Sequence, residues 1–110
     1  MTFQSKLKDF GTGLAAVVPH TYHYWRDKRE LPYAIWQEDG EDGPLNTNNR
    51  KSAQQLHGTI DYFTRLEYDP AADAIQEFLN ERDSTGWRLN KVQFEEDTNV
   101  IHFEWEFWVI

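Results

Sequence analysis

Glu104 and Glu106 stand two residues apart in a run that alternates apolar and polar, so both carboxylates fall on one face of a strand. Paired carboxylates are the tool of glycoside hydrolysis, and Trp108 on the same face could hold a sugar ring. A substrate cleft needs loops above the sheet, however, and the sequence offers a single long one. The plainer reading is a sheet face whose carboxylates pair with Lys or Arg, in this chain or a neighbour. His20 and His23 form an H-x-x-H pair, but residues three apart on a strand point to opposite faces and do not share a metal. Glu38, Asp39, Glu41 and Asp42 suggest a calcium loop by composition only. The EF-hand spacing and its closing Glu are missing, which leaves a solvated segment that touches a basic partner or keeps the domain in solution. Ser5, Ser52 and Ser84 lie in no nucleophile-elbow pattern, and the GTG at 11–13 lacks the rest of a dinucleotide fingerprint.

These residues hang on a readable set of elements. Phe3, Leu7, Phe10 and Leu14 recur at helical spacing, with Thr2 as N-cap and Pro19 as stop, although Gly11 and Gly13 weaken the helix. Residues 20–25 are β-branched and aromatic and predict a strand; the charged 26–30 predict a turn; 32–37 predict a second strand. From 38 to 54 the Gly, Pro, Asn and acidic content predicts a long exposed loop. Residues 55–66 predict a third strand with Ile60, Tyr62 and Leu66 on one face and Asp61 and Phe63 on the other. Asp69 then caps a second helix, with Pro70 at its first position and Ala72, Ile75, Phe78 and Leu79 as its buried stripe. Residues 87–97 and 100–110 form the last strands. The apolar positions of the first change parity, which predicts a bulge near Asn90–Lys91. The order gives one α+β domain over 1–110: a single largely antiparallel sheet of about five strands with two helices packed on one face. The other face carries Asp61, Phe63, His102, Glu104, Glu106 and Trp108. That mix is too polar for a core and too aromatic for idle solvent, so it reads as a partner surface.

The totals narrow the function classes. At 110 residues one core is expected without staples, and zero Cys removes disulfides and thiolate chemistry. The net charge of −8, from 19 acidic and 11 basic residues, argues against a duplex-DNA binder, and the scattered basic residues form no stripe. No run approaches the ~20 apolar residues of a membrane span. LAAVV, flanked by Lys6, Lys8 and Asp9, is too short for a signal core. Aromatic residues at 15% supply core or interface area.

The strand–helix unit GTIDYFTRLEYDPAADAIQEFL, residues 58–79, resembles the central segment of small tail proteins of long-tailed bacteriophages, the tail terminator and tail-completion group. YAIWQEDGED and the closing WRLNKVQFEEDTNVIHFEWEFWVI are similar to short head–tail joining proteins of phages of Gram-positive hosts, so the likeness spans residues 20–110. The resemblance implies a non-enzymatic α+β subunit that assembles as a ring, commonly a hexamer, at the head-proximal end of the tail tube. Its partners would be other copies of itself, the tube protein and the head–tail connector. No cofactor, no membrane and no sequence-specific nucleic acid are implied. Its place would be the virion tail, and the host cytoplasm during assembly. The family carries no motif that transfers residue by residue. Segments are therefore the candidates: Glu38, Asp39, Glu41, Asp42 and Arg50 for contact with a neighbour or the tube, and Glu104, Glu106 and Trp108 for ring packing. The acidic charge would suit a conduit for DNA, or serve solubility alone. A binding module for a small ligand or glycan on the aromatic sheet face is the alternative.

Overall fold

A computed structural model describes the backbone of residues 2–25, 30–42, 45–47 and 50–110, and the side chains of all of these except 45–47 and 50–53. The turn expected at 26–30 thus falls largely outside the described residues.

Helix α1, Phe3–Val17, begins where the Thr2 hydroxyl accepts from the Ser5 N–H at 3.1 Å and stops before Pro19. Helix α2, Pro70–Glu81, begins at the Asp69 cap with proline at its first position and ends at Arg82. The strands are β1 (Thr21–His23), β2 (Tyr33–Glu41), β3 (Leu45–Thr47), β4 (Arg50–Ala53), β5 (Leu56–Thr64), β6 (Thr85–Glu95) and β7 (Val100–Val109). Five of them form one sheet in the order β1-β2-β5-β7-β6, antiparallel except for the parallel β1–β2 pair, while β3 and β4 pair with each other. The expected α+β fold stands, with both helices on one face.

That face is dictated by alternation. Along β5 the even residues Leu56, Gly58, Ile60, Tyr62 and Thr64 are buried, and the layer extends across β2 and β7 through Trp36 and Trp105 beside Ile60, Ala34 beside Tyr62 and Phe107 beside Gly58. Phe10 and Leu14 of α1 and Ile75 and Leu79 of α2 close it from above. Phe10 lies at the centre, stacked on Phe107 at 4.4 Å between centroids and edge-on to Phe78 at 5.3 Å. The glycines that weaken α1 as a helix let it sit close to the core. A Cβ on Gly11 would meet the Trp36 ring at 2.6 Å, and one on Gly13 would meet Phe78 at 2.8 Å. Arg82 then ties the helices together, donating to Asp9 at 2.7 Å while its guanidinium lies over the Phe10 and Phe78 rings.

Two expectations need correction. Residues 38–54 are not one long loop. β2 continues through Glu38, Asp39 and Glu41, because β5 offers it a partner edge as far as Leu56, and Arg50 begins β4. Leu66 does not share the buried face of Ile60 and Tyr62; β5 ends at Thr64 and Leu66 is exposed.

Candidate functional site

The face of the sheet away from the helices carries a connected set of side chains. Most are aimed there by their strand's parity, and bulges in β2 and β6 bring in the rest. Tyr33, Phe63 and His102 form a stacked row across β2, β5 and β7, with centroids 4.8 and 4.3 Å apart, and His102 Nε2 lies 2.6 Å from Asp61. In the next ranks the Asn90 amide donates to Glu104 at 2.5 Å, and Glu106 accepts from Arg88 and lies 3.0 Å from His57 Nε2. His57 Nδ1 lies 2.5 Å from Asp39 on its other side. The Trp108 indole N–H donates to Asp42 at 2.6 Å.

The electrostatics follow from these contacts. Burial alone would push the His57 imidazole down, but the hydrogen bonds and charges of Asp39 and Glu106 outweigh it and hold its pKa above the ordinary value. Glu106 is held below the usual carboxylate range, first by Arg88 and then by His57. A raised histidine stabilises the fold fully below its unfolded pKa and loses that contribution as pH rises through the folded one. His57→Gln is therefore expected to cost up to about 1 kcal/mol at pH 5.5 and much less at pH 8.5. Urea denaturation of both proteins at the two pH values measures this, and a cost that grows toward alkaline pH would refute the pairing.

Of the residues singled out in the sequence, Asp39, Asp42, Glu104, Glu106 and Trp108 come together on this face. Asp39 and Asp42 have opposite parity, and a bulge between Glu38 and Gly40 brings both there. Gly40, at φ 148°, was the available sign of that bulge. Glu38 and Glu41 go elsewhere. Glu41 accepts from Gln54 at 2.8 Å. Glu38 belongs to the β1 edge, where it accepts from the Tyr24 hydroxyl and lies 2.7 Å from His23 Nε2. Arg50 is placed on β4 by its backbone. Trp108 is only partly exposed and its N–H is taken, so it is no free platform for a sugar. His57 and Arg88 carry no local signal in the sequence that marks them for this face. Period-two counting back from Asp61 and across from Glu106 finds them once the register is known.

A second feature lies at the β1 edge. His23 is sandwiched between the Tyr24 and Trp36 rings, each at 3.8 Å, and lines an open groove of about 570 Å³ that runs along α1 from Phe3 to Ala15. The bond to Glu38 raises the Tyr24 phenol above its ordinary pKa. Glu38 itself stays low although burial opposes this, because Tyr24 and His23 both engage it.

A third lies at the opposite edge. Leu89, Val92 and Phe94 of β6 point to the helix side, yet they are 41, 54 and 55% exposed, because neither helix reaches over the outer end of the β6–β7 hairpin. Among the described residues no group of three or more His, Asp or Glu is arranged to hold a metal ion, and no helix is long and apolar enough to cross a membrane.

The fold and this face define the class: an α+β domain with a cross-linked polar sheet face and an uncovered apolar edge. Comparison with protein-family models and with curated proteins finds no match for this chain.

Proposed function

We propose that the protein is a non-enzymatic assembly subunit of a long-tailed phage or prophage, the tail terminator or tail-completion component that rings the head-proximal end of the tail tube. The observation that carries the assembly role is the apolar strip Leu89, Val92 and Phe94 on an 11-residue strand at the sheet edge. Exposed apolar side chains beside an unpaired edge are a standing hazard for a lone molecule and a ready interface for a subunit. The polar face supports the same reading. General acid work by a carboxyl needs a raised pKa, and Glu106 is held low by Arg88, while Glu104 is engaged by Asn90. The phage assignment rests on the resemblance of residues 20–110 to small tail proteins read in the sequence alone. Deleting the gene from its phage should give virions or free tails of abnormal length, many far longer than the tape-measured norm, in electron micrographs. Tails of normal length would reject the terminator role.

A further inference from the structure

We infer that the free protein is a two-fold dimer joined by its β6 edges, antiparallel and centred on Gln93. β6 pairs only with β7, so its outer backbone groups have no partner among the described residues. The bulge at Asn90 interrupts the strand, and the five residues that follow, Lys91–Glu95, keep regular register with β7 from Glu104 to Val100. All five are exposed. An antiparallel pair about Gln93 sets Lys91 opposite Glu95 of the second copy, Val92 opposite Phe94, Gln93 opposite itself, and the same pairs again by symmetry. Lys91, Gln93 and Glu95 lie on the polar face, and Val92 and Phe94 lie on the helix-side face. The pairing thus makes two opposite-charge pairs on one side and two apolar pairs on the other, all between directly facing residues.

Neighbouring registers fail this test. Centring on Val92 sets Lys91 opposite Gln93 and drives the bulged Asn90 against Phe94. Centring on Phe94 sets Gln93 opposite Glu95 and Val92 opposite Glu96. Within the regular segment Lys91–Glu95 neither joins opposite charges. Charge and hydrophobicity select one register, and register is what a strand edge must specify to bind one partner instead of aggregating. The matching occupant is a second copy of this chain, since the complementarity is of the segment with itself.

A two-fold contact turns one copy over relative to the other. A ring with one face on the tube and the other toward the head is polar and cannot contain that axis in its plane. The β6 dimer is therefore the state before docking, which covers the edge until the tube is present. This last step, though not the dimer itself, rests on the tail assignment.

The test is sedimentation equilibrium of the whole chain and three variants, each checked for an unchanged melting curve. The wild type should be a concentration-dependent dimer. Lys91→Glu and Glu95→Lys each place like charges opposite one another twice, and should each weaken the dimer by roughly tenfold or more. The double variant restores opposite charges and should recover the wild-type constant to within about threefold. A wild type that stays monomeric at hundreds of micromolar would overturn the dimer, as would a dimer indifferent to Lys91→Glu or a double variant no better than the singles. None of these outcomes bears on tail length in the deletion phage, so the two ideas fail separately.

Discussion

Gly58→Ala is expected to cost about 3 kcal/mol or more and to lower the melting temperature by roughly 10 °C or more. Gly58 sits mid-strand in β5, opposite Glu38 of β2 and Phe107 of β7. A Cβ there would fall against the Gln37 carbonyl oxygen and meet the Phe107 ring at 2.5 Å. A clash with a side chain alone could be relieved by that side chain moving aside. Here one obstacle is backbone, so β2 must part from β5 beside the bulge that already interrupts their pairing. The other obstacle is a ring stacked on Phe10, the centre of the core, so displacing it disturbs α1 as well. Thermal denaturation followed by circular dichroism reads the effect. Gly86 provides the control: its nearest Cβ contact is 3.9 Å from Trp108, and Gly86→Ala should be close to neutral. A Gly58→Ala protein that melts within 2 °C of the wild type would mean that the strands are not this close.

Local signals made much of the fold legible. Asp69-Pro70 announces a helix start because a carboxylate cap and a residue without an N–H both fit the first turn and few other places. The alternation from Ile101 to Val109 places Trp105, Phe107 and Val109 inside by parity alone, and the parity break at Asn90 locates the bulge. The failures lie where pairing, not composition, decides. Glu38–Glu41 reads as loop by content, yet Gly58, His57 and Leu56 on β5 offer it a ladder of hydrogen bonds, and acidic side chains cost little on an exposed strand. The parallel pairing of β1 with β2 is likewise a long-range fact with no signature in three residues.

The site divides the same way. Glu104, Glu106 and Trp108 share a face by period two, which was visible. What holds them was not: His57 reaches Glu106 from a strand 49 residues away in sequence, and Asp39 and Asp42 arrive only through the bulge. A period-two pattern names the face of a side chain, whereas its partner depends on register across strands. The apolar outer half of β6 shows the limit from the other side. Leu89, Val92 and Phe94 read as core by type, and only the reach of the helices leaves them bare.

Asp69→Ala should cost about 3–4 kcal/mol, because one carboxylate serves three donors. Its Oδ1 accepts the Ala71 N–H at 2.9 Å and caps α2, a contact worth about 1 kcal/mol. Its Oδ2 accepts the Tyr62 and Thr64 hydroxyls, each at 2.7 Å, and both residues are buried on β5. Without the carboxylate the two hydroxyls keep their desolvation cost and lose their acceptor, adding about 2–3 kcal/mol. Asp69→Asn preserves the shape and the cap but loses the charge, and should cost about half as much. The pH dependence separates charge from shape. Burial pushes Asp69 up, yet Tyr62, the Ala71 N–H and Thr64 together hold it below the usual carboxylate range. A depressed folded pKa contributes stability above the unfolded value and loses it as pH falls through the folded one. The gap between wild type and Asp69→Asn should therefore be widest near neutrality and close as pH drops below about 4. At the other end, burial first and Asp69 second raise the Tyr62 phenol well above its ordinary pKa. Stability should fall above about pH 10, where the unfolded chain can ionise this tyrosine and the folded chain cannot. Urea denaturation across the pH range tests both arms. A gap that widened toward acid would mean that the folded chain favours a protonated Asp69, and would refute the charged acceptor at the junction of β5 with α2.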